Sequence, residues 1–155
     1  MTQENEIKVE YLKGYIKALN IISRCKRTIE VIKSDIEELR RNESEAKCSP
    51  ITGLPKAKNC NNKDLSEYMI KLDHYERKIQ DLIKAINNTQ KEAAEECTKI
   101  YLSINQMQTE KYKDILTAKF IERKSWKEMS IHFGYTRDGM YKTYIKALDE
   151  FKIPA

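Results

Sequence analysis

Two long stripes of apolar residues, whose spacing alternates between three and four, constrain what this chain can fold into. Such spacing keeps a stripe on one side of an α-helix for many turns and is typical of coiled-coil seams. The first stripe consists of Tyr15, Ala18, Ile22, Cys25, Ile29, Ile32, Ile36 and Leu39. The second consists of Leu65, Tyr68, Leu72, Tyr75, Ile79, Leu82, Ile86, Thr89 and Ala93. It then drifts to Cys97, Ile100 and Ile104, which indicates a stutter of the register near Gln90. Both segments are therefore predicted to be long helices.

The segment between the stripes interrupts both helices. Its sequence, CSPITGLPKAKNCNNKD, contains two of the three prolines of the chain, and proline ends a helix because it lacks the backbone donor. We expect a loop over residues 47–63, and two stripes joined by one loop fold back most simply as an antiparallel hairpin. A seam of this length can equally pair with a second molecule. The sequence leaves the internal hairpin and a homodimer through the long helices both open.

Composition agrees with a helical chain and points only weakly towards a polyanionic partner. Glycine and proline are scarce and 34% of the residues are charged, so we expect an all-α fold. The formal net charge of +5 favours a polyanion modestly. No segment approaches the roughly 20 apolar residues that span a bilayer, and the start MTQENEIKVE lacks the apolar core of a signal peptide. We expect a cytoplasmic protein with no membrane partner.

The sequence shows no pattern typical of a metal centre or an enzyme. The four cysteines, at positions 25, 48, 60 and 97, have no ligand-like spacing to one another or to the two histidines. Free thiols are therefore expected. No glycine-rich phosphate loop, nucleophile motif or zinc-protease motif is present, and the carboxylates are scattered among lysines. We predict no catalytic residues, no metal, no cofactor and no enzymatic activity.

A different organisation begins after Asn105, where the long periodicity ends. Thr109 can cap a short helix of about three turns. One face of this helix would consist of Tyr112, Ile115, Leu116, Lys119 and Phe120. Ser125 and Glu128 match the S-x-x-E capping box, which marks the start of a second helix. Gly134 is well placed to end that helix in the left-handed conformation.

Thr136 is predicted to cap a third helix with two different faces. One face is apolar and consists of Met140, Tyr144, Ala147, Leu148 and Phe151. The opposite face carries three basic residues and one acidic residue, and consists of Arg137, Asp138, Lys142, Thr143 and Lys146. A helix, a glycine-containing turn and a second helix with a basic front follow the helix-turn-helix plan. The predicted fold is a long antiparallel helical hairpin over residues 1–107, followed by a three-helix helix-turn-helix unit over 108–155.

The segment LTAKFIERKSWKEMSIHFGYTRDGMYKTYIKAL resembles region 4 of sigma-70-type factors, and in particular a variant encoded by phages. The matching positions are Ile121, Lys124, Ser125, Trp126, Glu128, Gly134, Tyr135, Thr136, Tyr141, Ala147 and Leu148. Upstream, VEYLKGYIKALN and SPITGLPKAK resemble phage and prophage late-gene regulators of the ArpU and RinA group. The chain departs from the region 4 pattern at Met129–Ser130, at Tyr144 and at Gly139, which replaces a hydroxyl residue of the last helix.

The resemblance implies a sequence-specific transcriptional regulator of the phage late-gene activator type, acting in the bacterial cytoplasm. Double-stranded promoter or operator DNA is the implied partner, with RNA polymerase as a further candidate. Since the first hundred residues are occupied by helical stripes, they leave no room for the promoter-melting domain of a full sigma factor. The last helix would lie in the major groove, with phosphates near its start. The residues predicted to contact DNA are Thr136, Arg137, Tyr141, Lys142, Thr143 and Lys146.

Two other functions fit the same residues. A phage terminase small subunit also combines a helix-turn-helix with helical oligomerisation segments, and it would assemble into a ring. A coiled-coil adaptor would use the C-terminal unit to bind protein and would have no affinity for DNA.

Overall fold

The computed structural model describes residues 2–47 and 62–154, and within these ranges it contains helices and no strands. The helices are α1 (Gln3–Leu12), α2 (Gly14–Lys47), α3 (Asn62–Asn105), α4 (Glu110–Leu116), α5 (Trp126–Phe133) and α6 (Arg137–Glu150). A π-helical turn, Thr117–Ile121, extends α4. The all-α prediction is confirmed. Nearly all of the predicted loop 47–63, with Cys48 and Cys60, lies outside the described residues.

The two stripes form the facing sides of α2 and α3. On α2, Ile22, Ile29, Ile32 and Ile36 are buried. On α3, the buried residues of the stripe are Ile86, Ala93, Ile100 and Ile104. Leu65 is the exception, since 52% of it is exposed. Cys25 and Cys97 lie half-buried in the stripes as free thiols. A single chain thus provides a partner for its own seam, and the predicted long helix pair is present.

The chain divides into two compact units, and the division shows the direction of the long helices. One unit combines Met1–Ile22 with Asn88–Ala155, and the other is Ser23–Asn87. The start of α2 therefore groups with the end of α3, which is the order of an antiparallel pair. The predicted boundary at residues 107 and 108 differs from this division, because the first 22 residues and the end of α3 share a unit with α4, α5 and α6.

The core of the first unit explains the difference. Its buried apolar cluster takes residues from both ends of the chain and from the end of α3. The members are Val9, Leu12, Ile100, Ile104, Met107, Ile115, Leu116, Ala118, Phe120, Met129, Met140, Tyr144, Ala147, Leu148 and Phe151. Leu12, Ile100 and Ile104 are fully buried. Burial of a leucine or isoleucine contributes about 1.5 to 3 kcal/mol to the free energy of unfolding. Helix α1 and the end of α3 are therefore structural parts of this first unit, together with α4, α5 and α6.

The connection from α3 to α4 is fixed by Glu150, a residue whose contact with this connection the sequence did not indicate. Thr109 lies at the predicted cap position of α4, but its side chain makes no capping hydrogen bond. Its hydroxyl instead donates to Oε2 of Glu150 at 2.7 Å.

None of the helices in the described ranges is long and apolar enough to cross a membrane.

Candidate nucleic-acid interface

The start of α5 is held by the predicted capping box, which the structure confirms. The backbone N–H of Ser125 donates to Oε2 of Glu128 at 2.7 Å, and the N–H of Glu128 donates to Oγ of Ser125 at 3.3 Å. The Ser125 backbone hydrogen bond is the main cause that holds the pKa of Glu128 below its usual value. Met129 is fully buried on the inner side of α5. The entry of α5 is thereby fixed by local chemistry and by the core.

The turn between α5 and α6 follows the predicted chemistry. Gly134 has φ 68° and ψ 31°, the left-handed conformation that ends a helix. Thr136 is extended and accepts the N–H of Gly139 on its side-chain oxygen at 3.1 Å, so it caps α6. Between them, the ring of Tyr135 lies under the ammonium of Lys111, 4.7 Å from the ring centroid. This contact connects the turn to α4.

The inner face of α6 packs as the periodicity predicts. Met140, Ala147, Leu148 and Phe151 are fully buried, and Tyr144 is 5% exposed. The Tyr144 ring meets Trp126 of α5 edge to face, with the centroids 5.1 Å apart. Burial raises the pKa of Tyr144 to about 12, so the ring stays neutral at physiological pH. Tyr144 is therefore a core residue and does not belong to the outer face.

The outer face of α6 presents cations with no acidic partner. Arg137, Lys142 and Lys146 are exposed. Within residues 2–47 and 62–154, no carboxylate lies within salt-bridge distance of any of the three. Three cations whose hydrogen-bond donors are not committed to protein carboxylates are available to an anionic ligand.

Tyr141 and Thr143, the two remaining residues predicted to contact DNA besides the cap Thr136, are placed differently from the three cations. Tyr141 is 46% exposed, and its ring lies 5.8 Å from that of Trp126, which limits its freedom. Thr143 is half-buried, and its hydroxyl donates to the carbonyl of Gly139 at 2.8 Å. The Thr143 oxygen can accept a further hydrogen bond, but its proton is already used. Of the six predicted residues, the structure leaves Thr143 the least accessible donor.

Two acidic residues at the end of α6 are occupied by structural hydrogen bonds. Asp149 accepts from the side chain of Asn5 at 2.8 Å. Glu150 accepts the backbone N–H groups of Gln108 and Thr109, each at 2.9 Å. Of the seven acidic residues in Thr109 to Ala155, which also contains ten basic residues, Asp149 and Glu150 thus serve the fold, whereas Asp138 is exposed in the first turn of α6 beside Arg137.

Sequence reasoning missed a groove beside the first turn of α6. It is lined by Trp126, Lys127, Ser130, Ile131 and Arg137. Lys127 is exposed, and Ile131 is 73% exposed. The signal was the spacing of Lys127 and Ile131, which are four residues apart and share one helix face. The groove places one more cation and an apolar side chain next to Arg137.

The partly buried Lys119 contacts the ring of Trp126. The ammonium of Lys119 lies 4.3 Å from the centroid of the Trp126 ring, a cation–π contact. Desolvation, followed by repulsion from Lys13, lowers the pKa of Lys119. Lys119 is half-buried and lies on the helix face that the sequence predicted for it together with Ile115 and Phe120, which are buried.

Comparisons with protein-family models, with curated proteins and with solved structures found no match for this chain. Among residues 2–47 and 62–154, no group of three or more histidine, cysteine or acidic side chains could hold a metal ion. The arrangement that remains is a capped helix, a three-residue turn and a second helix with an open basic face.

Proposed function

We propose that this protein is a sequence-specific double-stranded DNA-binding transcriptional regulator, in which α5, the turn 134–136 and α6 act as a helix-turn-helix. The observation that carries the proposal is the outer face of α6, where Arg137, Lys142 and Lys146 are exposed and no carboxylate of the described ranges lies within salt-bridge distance of them. A helix of 14 residues is about 21 Å long. The major groove of B-DNA, about 12 Å wide, admits such a helix.

The roles of the residues follow from their positions. Thr136 and the first turn of α6 would meet a phosphate, because unpaired backbone N–H groups and the positive end of the helix dipole lie there. Arg137 could bind the O6 and N7 atoms of a guanine with two donors, a contact worth roughly 1 to 3 kcal/mol of discrimination. Tyr141, Lys142 and Lys146 extend the contact surface along the helix.

The regulatory part of the proposal is supported by the resemblance to region 4 and to the ArpU and RinA group. That resemblance implies a phage or prophage late-gene activator that binds promoter DNA in the cytoplasm of a bacterial host. RNA polymerase and a second copy of the chain are the further partners that it suggests. Two copies would present two recognition helices to two half-sites, which raises affinity without new contacts.

The test is fluorescence anisotropy of labelled duplexes from the neighbourhood of the gene, titrated at several salt concentrations. The triple variant Arg137→Ala/Lys142→Ala/Lys146→Ala removes the open cations of α6. The matched control is Arg24→Ala/Lys26→Ala/Lys71→Ala, which removes three exposed cations from the other unit and changes net charge equally.

The proposal predicts that wild type and control bind one fragment tightly, while the α6 variant keeps its helicity and binds only weakly. Loss of about three phosphate or base contacts should also reduce the slope of log affinity against log salt. Equal binding by both triple variants would show that general charge, and not α6, attracts DNA. If wild type binds no fragment at low salt, the adaptor function becomes the better explanation.

A further inference from the structure

Two buried polar side chains of α1 contact the last turn of α6. The Nδ2 group of Asn5, which is 2% exposed, donates to Oδ1 of Asp149 at 2.8 Å. The ammonium of Lys8, which is 7% exposed, donates to the carbonyl oxygen of Leu148 at 3.1 Å and pairs with Glu4 at 2.8 Å. Burial of an amide and an ammonium is costly unless both are hydrogen-bonded. These contacts between residues about 140 positions apart are therefore specific parts of the fold.

The last turn of α6 needs a partner from elsewhere in the chain. It contains no basic residue, although the carbonyl groups at a helix C-terminus carry a partial negative charge. Lys8 supplies the cation and satisfies one of these carbonyls. The carboxylate of Glu150, the last residue of α6, accepts hydrogen bonds from Gln108 and Thr109. The C-terminal end of α6 is thus fixed by two segments that are distant in sequence.

In the described part of the chain, no hydrogen bond joins the first turn of α6 to a distant segment, and the long-range contact nearest to it is the cation–π contact between Lys111 and Tyr135 in the preceding turn. The side-chain hydrogen bonds of its first turn are local, the cap between Thr136 and Gly139 and the bond from Thr143 to the carbonyl of Gly139. The side chains that would meet DNA point outward from this end and from the middle of the helix. The direction of α6 is therefore set by its packed face and by the contacts at its C-terminus.

We propose that Asn5 and Lys8 are positioning residues that fix the orientation of α6, so that the N-terminal helix determines how the basic face meets the DNA groove. This inference rests on the proposed function for its effect on DNA. It assigns α1 a role in recognition although α1 carries none of the predicted DNA contacts. A rotated α6 would lose base contacts while it keeps its charge, so specific affinity should fall more than non-specific affinity.

The test exchanges the two members of one hydrogen bond. Asn5→Asp places a carboxylate against that of Asp149 and should break the contact. Adding Asp149→Asn restores an amide–carboxylate pair with the roles reversed and returns the net charge to that of wild type. Asn20→Asp is the matched control, because Asn20 is exposed on α2 and receives the same substitution. Asp149→Ala, at an exposed position, serves if Asn5→Asp does not fold.

The first readout is the ratio of affinities for the specific duplex and for a scrambled duplex of equal length. Asn5→Asp should lower this ratio about tenfold, the size of one lost base contact, and the double variant should recover it. A merely structural role would lower the thermal midpoint and leave the ratio of the folded protein unchanged. That result, or an equal loss in Asn20→Asp, would overturn the proposal.

The second readout requires no DNA. Residual dipolar couplings of the backbone amides of α4 and α6 report the angle between the two helices. Asn5→Asp should change this angle, and the double variant should restore it. If wild type binds no DNA, the proposed function fails, and the couplings still decide whether α1 orients α6. Unchanged couplings in both Asn5→Asp and Asp149→Ala would reject the positioning role.

Discussion

At the scale of single residues, Gly134 determines how the chain leaves α5. Its φ of 68° is in the left-handed region, and nothing lies within 4 Å of where a Cβ would be. The cost of a side chain is therefore backbone strain alone. Gly134→Ala should lower the free energy of unfolding by about 1 kcal/mol, and Gly134→Asn by less, because asparagine tolerates this conformation. Urea denaturation of the two variants tests the order, and equal stability of Ala and Asn would contradict it.

Gly139 presents the opposite case, because its backbone is helical and its surroundings are tight. A Cβ at this position would lie 3.1 Å from Oγ1 of Thr136. Helix propensity favours alanine over glycine by about 1 kcal/mol. Since Thr136 is exposed, its hydroxyl can shift by a few tenths of an ångström. Gly139→Ala should therefore raise the free energy of unfolding, by less than the full propensity difference.

The Thr136→Ala background separates the effect of helix propensity on the Gly139→Ala stability from the effect of the close contact with the Thr136 hydroxyl. Removal of the cap alone should cost about 1 kcal/mol. In that background Gly139→Ala no longer meets the hydroxyl, so it should recover the full propensity gain. Chemical denaturation of the four proteins gives the coupling between the two positions. Destabilisation by Gly139→Ala in the wild-type background would mean that the cap cannot move.

At the scale of helices, the elements that the sequence predicted are those set by local chemistry. The capping box at Ser125, the left-handed Gly134 and the cap at Thr136 each depend on residues within a few positions of one another. Periodicity likewise shows which face of α6 is buried. The hydroxyl of Thr109 was not predictable in the same way, because its partner Glu150 is 41 positions away. A local pattern cannot show such a contact.

Glu150 connects α6 to the start of α4 and should make this connection sensitive to acid. Its pKa is lowered chiefly by the backbone N–H of Thr109, with the Thr109 side chain and Gln108 contributing. A carboxyl whose folded pKa is depressed adds stability above its ordinary pKa, which is 4.5 for Glu150, and that stability is lost as pH falls through the folded value. Glu150→Gln should therefore be less stable than wild type near neutral pH, and the difference should shrink as pH falls below about 4.5.

Thermal melts of wild type and Glu150→Gln at intervals from pH 7 to pH 3 measure this difference. Glu95→Gln is the matched control, because Glu95 is exposed on α3. Glu128 retains its own acid sensitivity in all three proteins. Parallel curves for wild type and Glu150→Gln would show that the contacts of Glu150 do not contribute to acid stability.

At the scale of the whole molecule, the sequence predicted the classes of the elements better than their grouping. The helix pair and the short C-terminal helices follow from the apolar periodicity and from the residues that begin and end helices. The docking of α1 on α6 does not, because Asn5 and Lys8 are ordinary polar residues until the fold brings Asp149 and Leu148 to them. The open charges of α6 were predictable as residues. That no carboxylate in the described ranges lies within salt-bridge distance of Arg137, Lys142 or Lys146 became visible only in the structure.

The grouping leads to a prediction about fragments. Residues 108–155, the C-terminal domain predicted from sequence, lack Val9, Leu12, Ile100, Ile104 and Met107, which belong to the same core cluster. Loss of these side chains exposes apolar surface that the short helices cannot bury among themselves. The isolated fragment should therefore show a broad, non-cooperative thermal transition by circular dichroism.

A second deletion provides the control for this fragment. Replacing Ser23–Asn87 by a linker of about six glycine and serine residues, which on average spans more than the roughly 10 Å between packed helices, keeps the complete unit of Met1–Ile22 and Asn88–Ala155. This shortened protein should unfold cooperatively and should retain binding to DNA through α6, although without the long helices. A cooperative transition for residues 108–155 alone would show that α1 and the end of α3 are dispensable, and the boundary predicted from the sequence would then describe the folding unit better than the packed core does.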